Sequence, residues 1–153
     1  MKEYLIRPAQ KNDLETVAKL TEEAYAVPYR EGQEVSRPHP EADLEGKFIA
    51  KDFFVLVAEE AGKIIGAVRH RFIDDYCYIF KLAVLPQMRK QGLGRKLMQA
   101  VEKIARNNQY KTLKLDCMKE KGLVPYYEKQ GFFIEKTKKH HDHHDVYMSR
   151  KII

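Results

Sequence analysis

The chain has 153 residues, 44% of them hydrophobic, and a net charge of +6 at pH 7, which suits one domain with its own core. No apolar run reaches the roughly 18 residues that would cross a membrane, and the N-terminus has no stretch typical of a signal peptide, so we expect a cytoplasmic protein without a membrane partner. Two cysteines, far apart and without metal-ligand spacing, argue against a disulfide framework and a zinc ribbon.

The first part of the chain predicts a strand, a helix, a long loop and a second helix. Residues 5–8 favour a short strand that ends in proline, which cannot donate to a sheet. The helix that follows has Asn12 as its N-cap, an apolar face at helical spacing and Pro28 at its end. The polar stretch 29–40 has no hydrophobic period and is long for a connector, so we expect a functional loop there, with a second helix over 41–50.

The middle of the chain predicts a meander of three antiparallel strands and then a strand, helix and strand unit. Apolar and alternating runs bounded by turn residues predict strands over 53–58, 64–73 and 76–85. A strongly amphipathic helix follows Gly92, and a further strand covers 111–117. Because units of this length form right-handed crossovers, the strands on either side of this helix should be parallel.

The last part of the chain predicts a short helix over 124–130, ended by Gly131, and two strands over 132–138 and about 145–152. The sum is an α/β (α+β) fold with a mixed, mostly antiparallel sheet of six to seven strands and about four helices. No repeat or low-complexity linker divides the chain, so residues 1–153 should form a single domain.

The stretch from Lys81 to Arg95 leads from an apolar strand, through a turn with Gly92 and Gly94, into the amphipathic helix. Glycines let a ligand approach the backbone, and the first turn of a helix offers N–H groups without partners and a partial positive charge. The surrounding lysines and arginines add to that charge, so the turn predicts a pyrophosphate site. A plain strand-to-helix turn is the alternative that these residues leave open.

Three motifs, in order and at the expected separations, resemble the GNAT (GCN5-related N-acetyltransferase) superfamily over nearly the whole chain. Residues 82–86 resemble its fourth strand, and the spacing of Arg89, Gly92 and Gly94 resembles its pyrophosphate loop. Residues 127–132 resemble the junction of its late helix and the following strand. The resemblance implies a GNAT-like sheet whose fourth and fifth strands are parallel and splay apart.

The resemblance also implies which residues bind acetyl-CoA, the cosubstrate, through the strand backbone and the turn. These residues are Leu82, Ala83, Val84, Arg89, Lys90, Gln91, Gly92, Leu93, Gly94 and Arg95. Tyr127 stands where many members use a tyrosine hydroxyl as the general acid for the departing thiolate. Its neighbour Tyr126 points about 100° away on a helix, so only one of the two can face the sulfur.

The base that takes the proton from the acceptor amine is left unassigned. Tyr78 stands where some protein acetyltransferases of the superfamily carry a glutamate base. The ionisable candidates for this role are Asp74, Asp75, His70 and Glu45. A turn-forming role is the alternative for the two aspartates. A second departure from the family pattern is Glu120, where many relatives have an asparagine that contacts the cosubstrate.

Charge is polarised along the chain, since residues 86–121 hold ten Lys and Arg against three acids, whereas residues 1–60 hold eight against thirteen. This polarity favours an anionic cosubstrate and a cationic second substrate, and it disfavours a nucleic-acid partner. The acids near the expected acceptor side are Glu22, Glu23, Glu31, Glu34, Glu41, Asp43 and Glu45. We therefore predict a cationic amine acceptor, on a small molecule or a protein, with an ordinary solvated acidic face as the alternative.

A run of histidines and aspartates lies between the last two predicted strands: His140, His141, Asp142, His143, His144 and Asp145. Neutral imidazole is a common ligand of transition metals. Because alternate side chains of a hairpin share a face, either His141 and His143 could converge, or His140, Asp142 and His144. We interpret the run as a polar hairpin tip and predict no metal site, with metal binding as the alternative.

Together these features predict an acetyl-CoA-dependent N-acetyltransferase that transfers an acetyl group directly to a primary amine. Both cysteines lie in apolar strands, where a buried and reduced thiol is expected, so no cysteine nucleophile is proposed. The alternative is a non-catalytic acyl-CoA sensor or interaction module of the same fold. Salt-sensitive DNA binding is a third option, and a homodimer is compatible with the sequence.

Overall fold

The computed structural model describes residues 3–35 and 43–152. Its strands are β1 (Leu5–Pro8), β2 (Phe54–Glu60), β3 (Lys63–Ile73), β4 (Tyr76–Val84), β5 (Thr112–Met118), β6 (Phe133–Lys139) and β7 (His144–Lys151). Its α-helices are α1 (Leu14–Tyr25), α2 (Leu44–Ile49), α3 (Leu93–Asn107) and α4 (Val124–Glu128). The strands form one sheet in the order β1-β2-β3-β4-β5-β7-β6. This seven-stranded mixed sheet, with four α-helices in the described ranges, confirms the predicted fold class.

The sheet opens between β4 and β5. These two strands are parallel, whereas every other neighbouring pair of described strands is antiparallel. Within the described chain they pair at Cys77 with Leu113 and at Tyr78 with Lys114, and they diverge beyond Tyr78. The predicted parallel and splayed arrangement is therefore confirmed, and the divergence leaves a gap in the middle of the sheet.

A bulge in β4 lies just beyond this last pair. Between the pairs Arg69–Phe80 and Ala67–Ala83, two steps along β3 match three steps along β4. The extra length falls at Lys81, whose φ of +52° lies in the left-handed region that residues with a side chain rarely adopt. Because a bulge bends its strand and increases the local twist, it turns the end of β4 away from β5.

Helices α1 and α3 pack their apolar faces on the sheet. The buried residues are Leu14, Val17, Leu20, Thr21 and Ala24 on α1, and Leu93, Leu97, Met98, Val101 and Ala105 on α3. Each large apolar side chain among them contributes about 1.5–3 kcal/mol by leaving water. Gly66 of β3 allows the close approach of α3, because a Cβ there would lie 3.2 Å from Leu97 and 3.3 Å from Leu93. None of the helices in the described ranges combines the length and the apolar character that a membrane span needs.

The element boundaries differ from the predicted ones by a few residues. Helix α1 starts at Leu14 with Asp13 as its N-cap, so the prediction of Asn12 is wrong by one residue. A turn of 3-10 helix precedes α1, and the Asp13 carboxylate accepts from the backbone N–H of Gln10 at 2.7 Å. Because this acid closes the turn, the α-helix begins after it. Helix α2 is shorter than predicted, and the strands shift by one or two residues.

Candidate active site

A cleft of about 110 Å³ lies in the gap between the diverging strands. It is lined by the C-terminal end of α1 and the loop that follows, by residues 79–82 of β4, by residues 115–117 of β5, and by Tyr127 of α4. The charged side chains in this lining are Glu34, Lys81, Asp116 and Lys121. The cleft therefore has mainly apolar walls with a few charged groups.

Tyr127 is the residue of α4 that lines the cleft. Its side chain is 9% exposed, and its ring meets those of Tyr126 and Phe132 edge to face, with centroids 5.1 and 6.1 Å away. Burial raises the pKa of its hydroxyl well above the usual value, so the phenol stays protonated at neutral pH. A protonated hydroxyl at the wall of the cleft is the property that a general acid needs.

Tyr126 has a different environment. A Cβ added to Gly94 would lie 2.7 Å from the Tyr126 hydroxyl, so this oxygen rests against the first turn of α3. Adjacent positions on a helix point about 100° apart, which accounts for the separation of the two tyrosines. Of this pair, Tyr127 alone lines the cleft.

The glycine turn forms the start of α3. Gly92 is the N-cap with a φ of +79°, and nothing lies within 4 Å of a Cβ added there, so the backbone conformation is what requires glycine. Lys90 also has a positive φ of +66°. Leu93 is buried and can reach a ligand only through its backbone, whereas Arg95 and Lys96 are exposed. The N–H groups of this first turn have no partners inside the helix, so the turn suits a phosphate.

The strand residues assigned to cosubstrate binding differ in exposure. Leu82 lines the cleft, whereas Ala83 and Val84 are buried and pair with β3. On the side toward β5 these residues have no partner strand in the described sheet, because β4 and β5 pair only at their start. Gln91 is exposed, and its side-chain oxygen accepts from the Tyr4 hydroxyl at 3.0 Å. The edge of β4 that faces the gap is thus open to a ligand.

Arg89 binds the C-terminal end of α1. Its guanidinium donates to the carbonyl oxygens of Ala24, Val27 and Pro28, the last two at 2.9 and 3.2 Å, and it lies 4.1 Å above the Tyr29 ring. The last carbonyls of a helix lack partners and carry partial negative charge, which a guanidinium offsets. Arg89 therefore fastens α1 to the segment before α3, and its contact with a pyrophosphate stays a prediction.

Sequence reasoning missed a hydrogen-bonded pair, Tyr78 and Asp116, at the point where β4 and β5 begin to diverge. Tyr78 donates its hydroxyl to the carboxylate of Asp116, and burial together with this carboxylate raises the pKa of Tyr78. Asp116 lines the cleft, whereas Tyr78 lines a second cavity described below. The available signal was weak, because Asp116 is the one acid in β5 but occupies a position where the alternation of the strand already expects a polar residue.

The four base candidates named from sequence lie elsewhere. His70 is 2% exposed, and burial lowers its pKa to about 4. Asp74 and Asp75 form the turn between β3 and β4, and Glu45 pairs with Lys11 at 3.1 Å. All four are described residues, and none of them lines the cleft or the second cavity.

Both cysteines carry free thiols. Cys77 is buried, and Cys117 lines the cleft. Burial raises the pKa of Cys77 to about 12 and that of Cys117 to about 11. A thiol with a raised pKa is a poor nucleophile at neutral pH, and the expectation that no cysteine carries the acyl group stays a prediction.

The second cavity, which we call the basic cavity, has a volume of about 570 Å³. It is lined by Leu44, Lys47, Asp52, Phe53, Arg69, Arg71, Tyr78, Phe80 and Lys81. Phe80 and Lys81 also line the cleft, so the two spaces are adjacent. Among these described residues four are cations and one is an acid. The sequence assigned no role to Arg69 or Arg71, because they alternate along an ordinary strand.

The acids that suggested a cationic acceptor are scattered. Among those that the structure describes, Glu34 alone lines the cleft, and none lines the basic cavity. Asp43 caps α2 by accepting from the backbone N–H of Gly46 at 3.2 Å, and Glu45 forms an ion pair with Lys11. The exposed ones include Glu22, Glu23 and Glu31. Glu41 lies outside the described residues.

The connection between β6 and β7 brings His140, His143 and Asp145 together, a different set from the alternating ones expected. The Nε2 atoms of His140 and His143 lie 2.9 and 3.4 Å from the Asp145 carboxylate, and the two rings stack with centroids 4.6 Å apart. Ligand atoms of the three residues lie within 4.8 Å of one another. The expectation that the tip binds no metal stays a prediction.

Glu120 is engaged within the protein. Its carboxylate accepts from the backbone N–H of His144 at 2.8 Å and contacts the ring Nδ1 of the same residue at 2.8 Å. These hydrogen bonds lower the pKa of Glu120 to about 2. The carboxylate joins the loop after β5 to the start of β7, and it is not among the described residues that line the cleft.

Residues 15–132 of the chain match the acetyltransferase (GNAT) family. This range holds most of the chain, including the diverging strands, the glycine turn and Tyr127. The chain belongs to the GNAT acetyltransferase family. No curated protein matches it. The structure gives a hydrogen-bonded partner to each of Tyr78 and Glu120, the two residues that the resemblance marked as departures from the family pattern.

Solved structures share this GNAT fold. The ribosomal-protein-S18-alanine N-acetyltransferase of Escherichia coli is 19% identical, with a TM-score of 0.76 over 98% of this chain and 94% of that one. The PaiA N-acetyltransferase of Thermoplasma acidophilum, solved with coenzyme A, is 18% identical, with a TM-score of 0.81 over 97% and 99%. YncA of Salmonella typhimurium, solved with its cofactor acetyl-CoA, is 18% identical, with a TM-score of 0.76 over 98% and 94%. At these identities the likeness establishes the fold alone.

Proposed function

We propose that the protein is an acetyl-CoA-dependent N-acetyltransferase that transfers an acetyl group directly to a primary amine. The observation that carries the proposal is the cleft between the diverging β4 and β5, with the buried Tyr127 hydroxyl at its wall and the glycine turn following β4. Membership of the GNAT family supports the reaction class, and relatives solved with coenzyme A or acetyl-CoA support the cosubstrate. The open edge of β4 would bond the pantetheine arm, and the turn would hold the pyrophosphate.

In the proposed reaction, the neutral amine nitrogen attacks the carbonyl carbon of the thioester and forms a C–N bond. The carbon–sulfur bond then breaks, the electron pair leaves with the sulfur, and the Tyr127 hydroxyl gives its proton to that sulfur. The raised pKa of Tyr127 keeps the proton in place until the thiolate develops. A donor aimed at developing charge typically lowers a barrier by about 3–4 kcal/mol.

We propose that Asp116 accepts the proton that the amine releases, either directly or through a water molecule. The carboxylate lines the cleft and is hydrogen-bonded to Tyr78, which lines the basic cavity, so it stands between the two spaces. The bond from Tyr78 also holds the carboxylate in one orientation. A carboxylate at this junction is placed to accept a proton from an amine that enters by way of either space.

The experiment that tests the function measures release of coenzyme A from acetyl-CoA across a panel of primary amines. We expect turnover with some amines, and a kcat about 100-fold lower for Tyr127→Phe at an unchanged KM for acetyl-CoA. This change removes one hydroxyl and keeps the buried ring, so the fold should persist. Tyr126→Phe is the matched control and should retain most of the wild-type kcat, because its hydroxyl rests against Gly94 outside the cleft.

Asp116→Asn belongs in the same experiment. Its kcat/KM should fall about 100-fold at neutral pH and recover at high pH, where the amine loses its proton without a base. A protein that binds coenzyme A in every variant but releases no thiol with any amine would instead be an acyl-CoA sensor or interaction module. That result would end the proposal of acetyl transfer.

The acceptor in this proposal is an amine on a small molecule or a protein. A positive charge on the acceptor has little support, because Glu34 is the one described acid of the predicted set in the cleft, and four described cations line the neighbouring cavity. A homodimer stays a prediction that sedimentation would measure.

A further inference from the structure

The basic cavity adjoins the cleft at Phe80 and Lys81, the part of β4 that carries the bulge. The proposed function places the thioester in the cleft, so a molecule that fills the basic cavity would have one end beside the thioester. The cavity volume of about 570 Å³ falls within the range of roughly 300–1,000 Å³ that is typical of small-molecule sites. The basic cavity is therefore large enough and close enough to receive the acceptor.

Positive charge dominates the wall of the basic cavity. Lys47, Arg69, Arg71 and Lys81 face a single acid, Asp52, among the described lining residues. Within the described part of the chain, no acid lies at ion-pair distance from Lys47, Arg71 or Lys81. Lys47, Arg71 and Lys81 carry like charges around one cavity and repel one another, and an anion inside the cavity would relieve that repulsion.

Arg71 is exposed, and two aromatic rings pack near its guanidinium. Its guanidinium lies 5.6 Å from the Tyr78 ring and 5.7 Å from the Phe80 ring, and these rings stack at 5.4 Å. Arg69 is 3% exposed and lies 5.4 Å from the Phe53 ring. Since alternate residues of a strand share a face, both arginines point to the same side of β3. A guanidinium packed on rings still presents its edge of N–H donors, which matches a carboxylate or a phosphate.

We propose that the acceptor is an amine that also carries an anionic group, a carboxylate, phosphonate or phosphate, and that Arg71 and Lys47 bind this group in the basic cavity. The inference rests on the proposed acetyl transfer and names the class of its acceptor. The amine end then lies near Phe80 and Lys81, beside the cleft and Asp116.

The same cations act on the reacting end of such an acceptor. Nearby positive charge disfavours an ammonium ion, so a larger fraction of the amine is neutral and able to attack. A polyamine, in contrast, would bring further positive charge into a cavity that already has an excess of it. The field of the cavity therefore favours the acceptors that the proposal names and disfavours polycations.

The test compares pairs of acceptors that differ only in the anionic group: amino carboxylates with their carboxamides, and aminoalkylphosphonates with amino alcohols of the same length. For the wild type we expect a kcat/KM at least tenfold higher for the anionic member of an accepted pair. Arg71→Gln should reduce that advantage at least tenfold through the acceptor KM. The KM for acetyl-CoA should not change, because Arg71 is not among the described residues that line the cleft.

Two further variants make the test specific. Lys63→Gln removes one charge at the exposed start of the same strand, outside both cavities, and should keep the wild-type preference. Lys47→Gln, at an exposed position of α2, should reduce the preference for anionic acceptors as Arg71→Gln does. If Arg71→Gln does not fold, Lys47→Gln tests the proposal in its place.

The outcomes separate this inference from the proposed function. Equal rates for both members of each pair would overturn the anionic acceptor and leave acetyl transfer in place. A raised KM for acetyl-CoA in Arg71→Gln, with the acceptor preference intact, would assign the cavity to the cosubstrate and also overturn the inference. If no amine is acetylated, the proposed function fails and the inference fails with it.

Discussion

Tyr126 and Tyr127 have the same side chain and adjacent positions, but their hydroxyls lie in different surroundings. One rests against Gly94 at the start of α3, and the other lines the cleft. Two acids near each other in sequence also differ, since Asp116 of β5 lines the cleft, whereas Glu120 in the turn after β5 binds the start of β7. At the scale of residues, burial and partners therefore separate candidates for catalysis from structural groups of the same type.

His70 gives a prediction about acid stability. It is buried, stacks on Phe54 and meets Phe72 edge-on, and its Nδ1 has no hydrogen-bond partner among the described residues. Burial lowers its pKa from 6.5 to about 4, so the unfolded chain takes up a proton at a pH where the folded protein does not. The free energy of unfolding should therefore fall as the pH drops from 6.5 to 4, by on the order of 3 kcal/mol, and this contribution should level off below pH 4.

Urea unfolding at several pH values measures this contribution. His70→Leu should remove most of the pH dependence in that window, because the titrating group is gone from both the folded and the unfolded state. His141→Gln removes an exposed histidine and should keep the wild-type profile. A His70→Leu profile equal to the wild type would show that other groups cause the acid sensitivity.

At the scale of elements, Arg89 connects α1 to the segment that leads into α3. Arg89→Lys keeps the charge but loses the planar fork that reaches three carbonyl oxygens at once. We expect a loss of about 1 kcal/mol in the free energy of unfolding, because half-buried carbonyl groups at the end of α1 lose part of their hydrogen bonding. Thermal unfolding of the variant measures this loss as a lower Tm.

Arg95→Gln is the comparison for Arg89→Lys, because Arg95 is exposed in the first turn of α3. It should raise the KM for acetyl-CoA with little change in Tm, whereas Arg89→Lys should show the reverse pattern. A raised KM with an unchanged Tm for Arg89→Lys would mean that this arginine binds the pyrophosphate, as the family resemblance implied.

The elements and their order could be predicted from sequence because they depend on local signals. Period-2 and helical patterns, with glycine and proline at the boundaries, are sufficient for the strands, the crossover and the glycine turn. The bulge at Lys81 has no such signal, since a lysine there does not mark a positive φ. The bulge is visible only in the pairing of β4 with β3, where two steps along β3 match three along β4.

At the scale of the whole molecule, the missed features join residues that are distant in sequence. The Tyr78–Asp116 pair links two strands, and the basic cavity links α2 with β3 and β4. The predicted grouping of the histidines between β6 and β7 differs from the observed one for a local reason. A hydrogen bond from the His140 N–H to the His143 carbonyl at 2.8 Å closes a turn there, and strand alternation does not hold inside a turn.

The gap between β4 and β5 leads to a prediction for the molecule as a whole. Saturating coenzyme A should slow amide hydrogen exchange in residues 79–84 of β4 and in the first turn of α3. At a hundredfold excess over Kd, a ligand that binds only the folded state adds about 2.7 kcal/mol to the free energy of unfolding. Protection beyond that global gain should be concentrated beside the gap.

Strands β1 and β6, at the two ends of the sheet, provide the internal control for this measurement. They should gain only the protection that global stabilisation gives. If exchange slowed equally in all strands, coenzyme A would not lie along β4, and the assignment of the strand residues to the pantetheine arm would have to be abandoned.

The divergence of β4 and β5 has a consequence for aggregation. It gives the sheet two extra unpaired edges in its interior, in addition to those at β1 and β6. Exposed edges invite pairing with a strand of another molecule, and proteins protect them with bulges and charged side chains. The bulge at Lys81 and the carboxylate of Asp116 are protections of this kind. The residues that line the cleft thus also keep an empty cleft from being filled by a neighbouring chain.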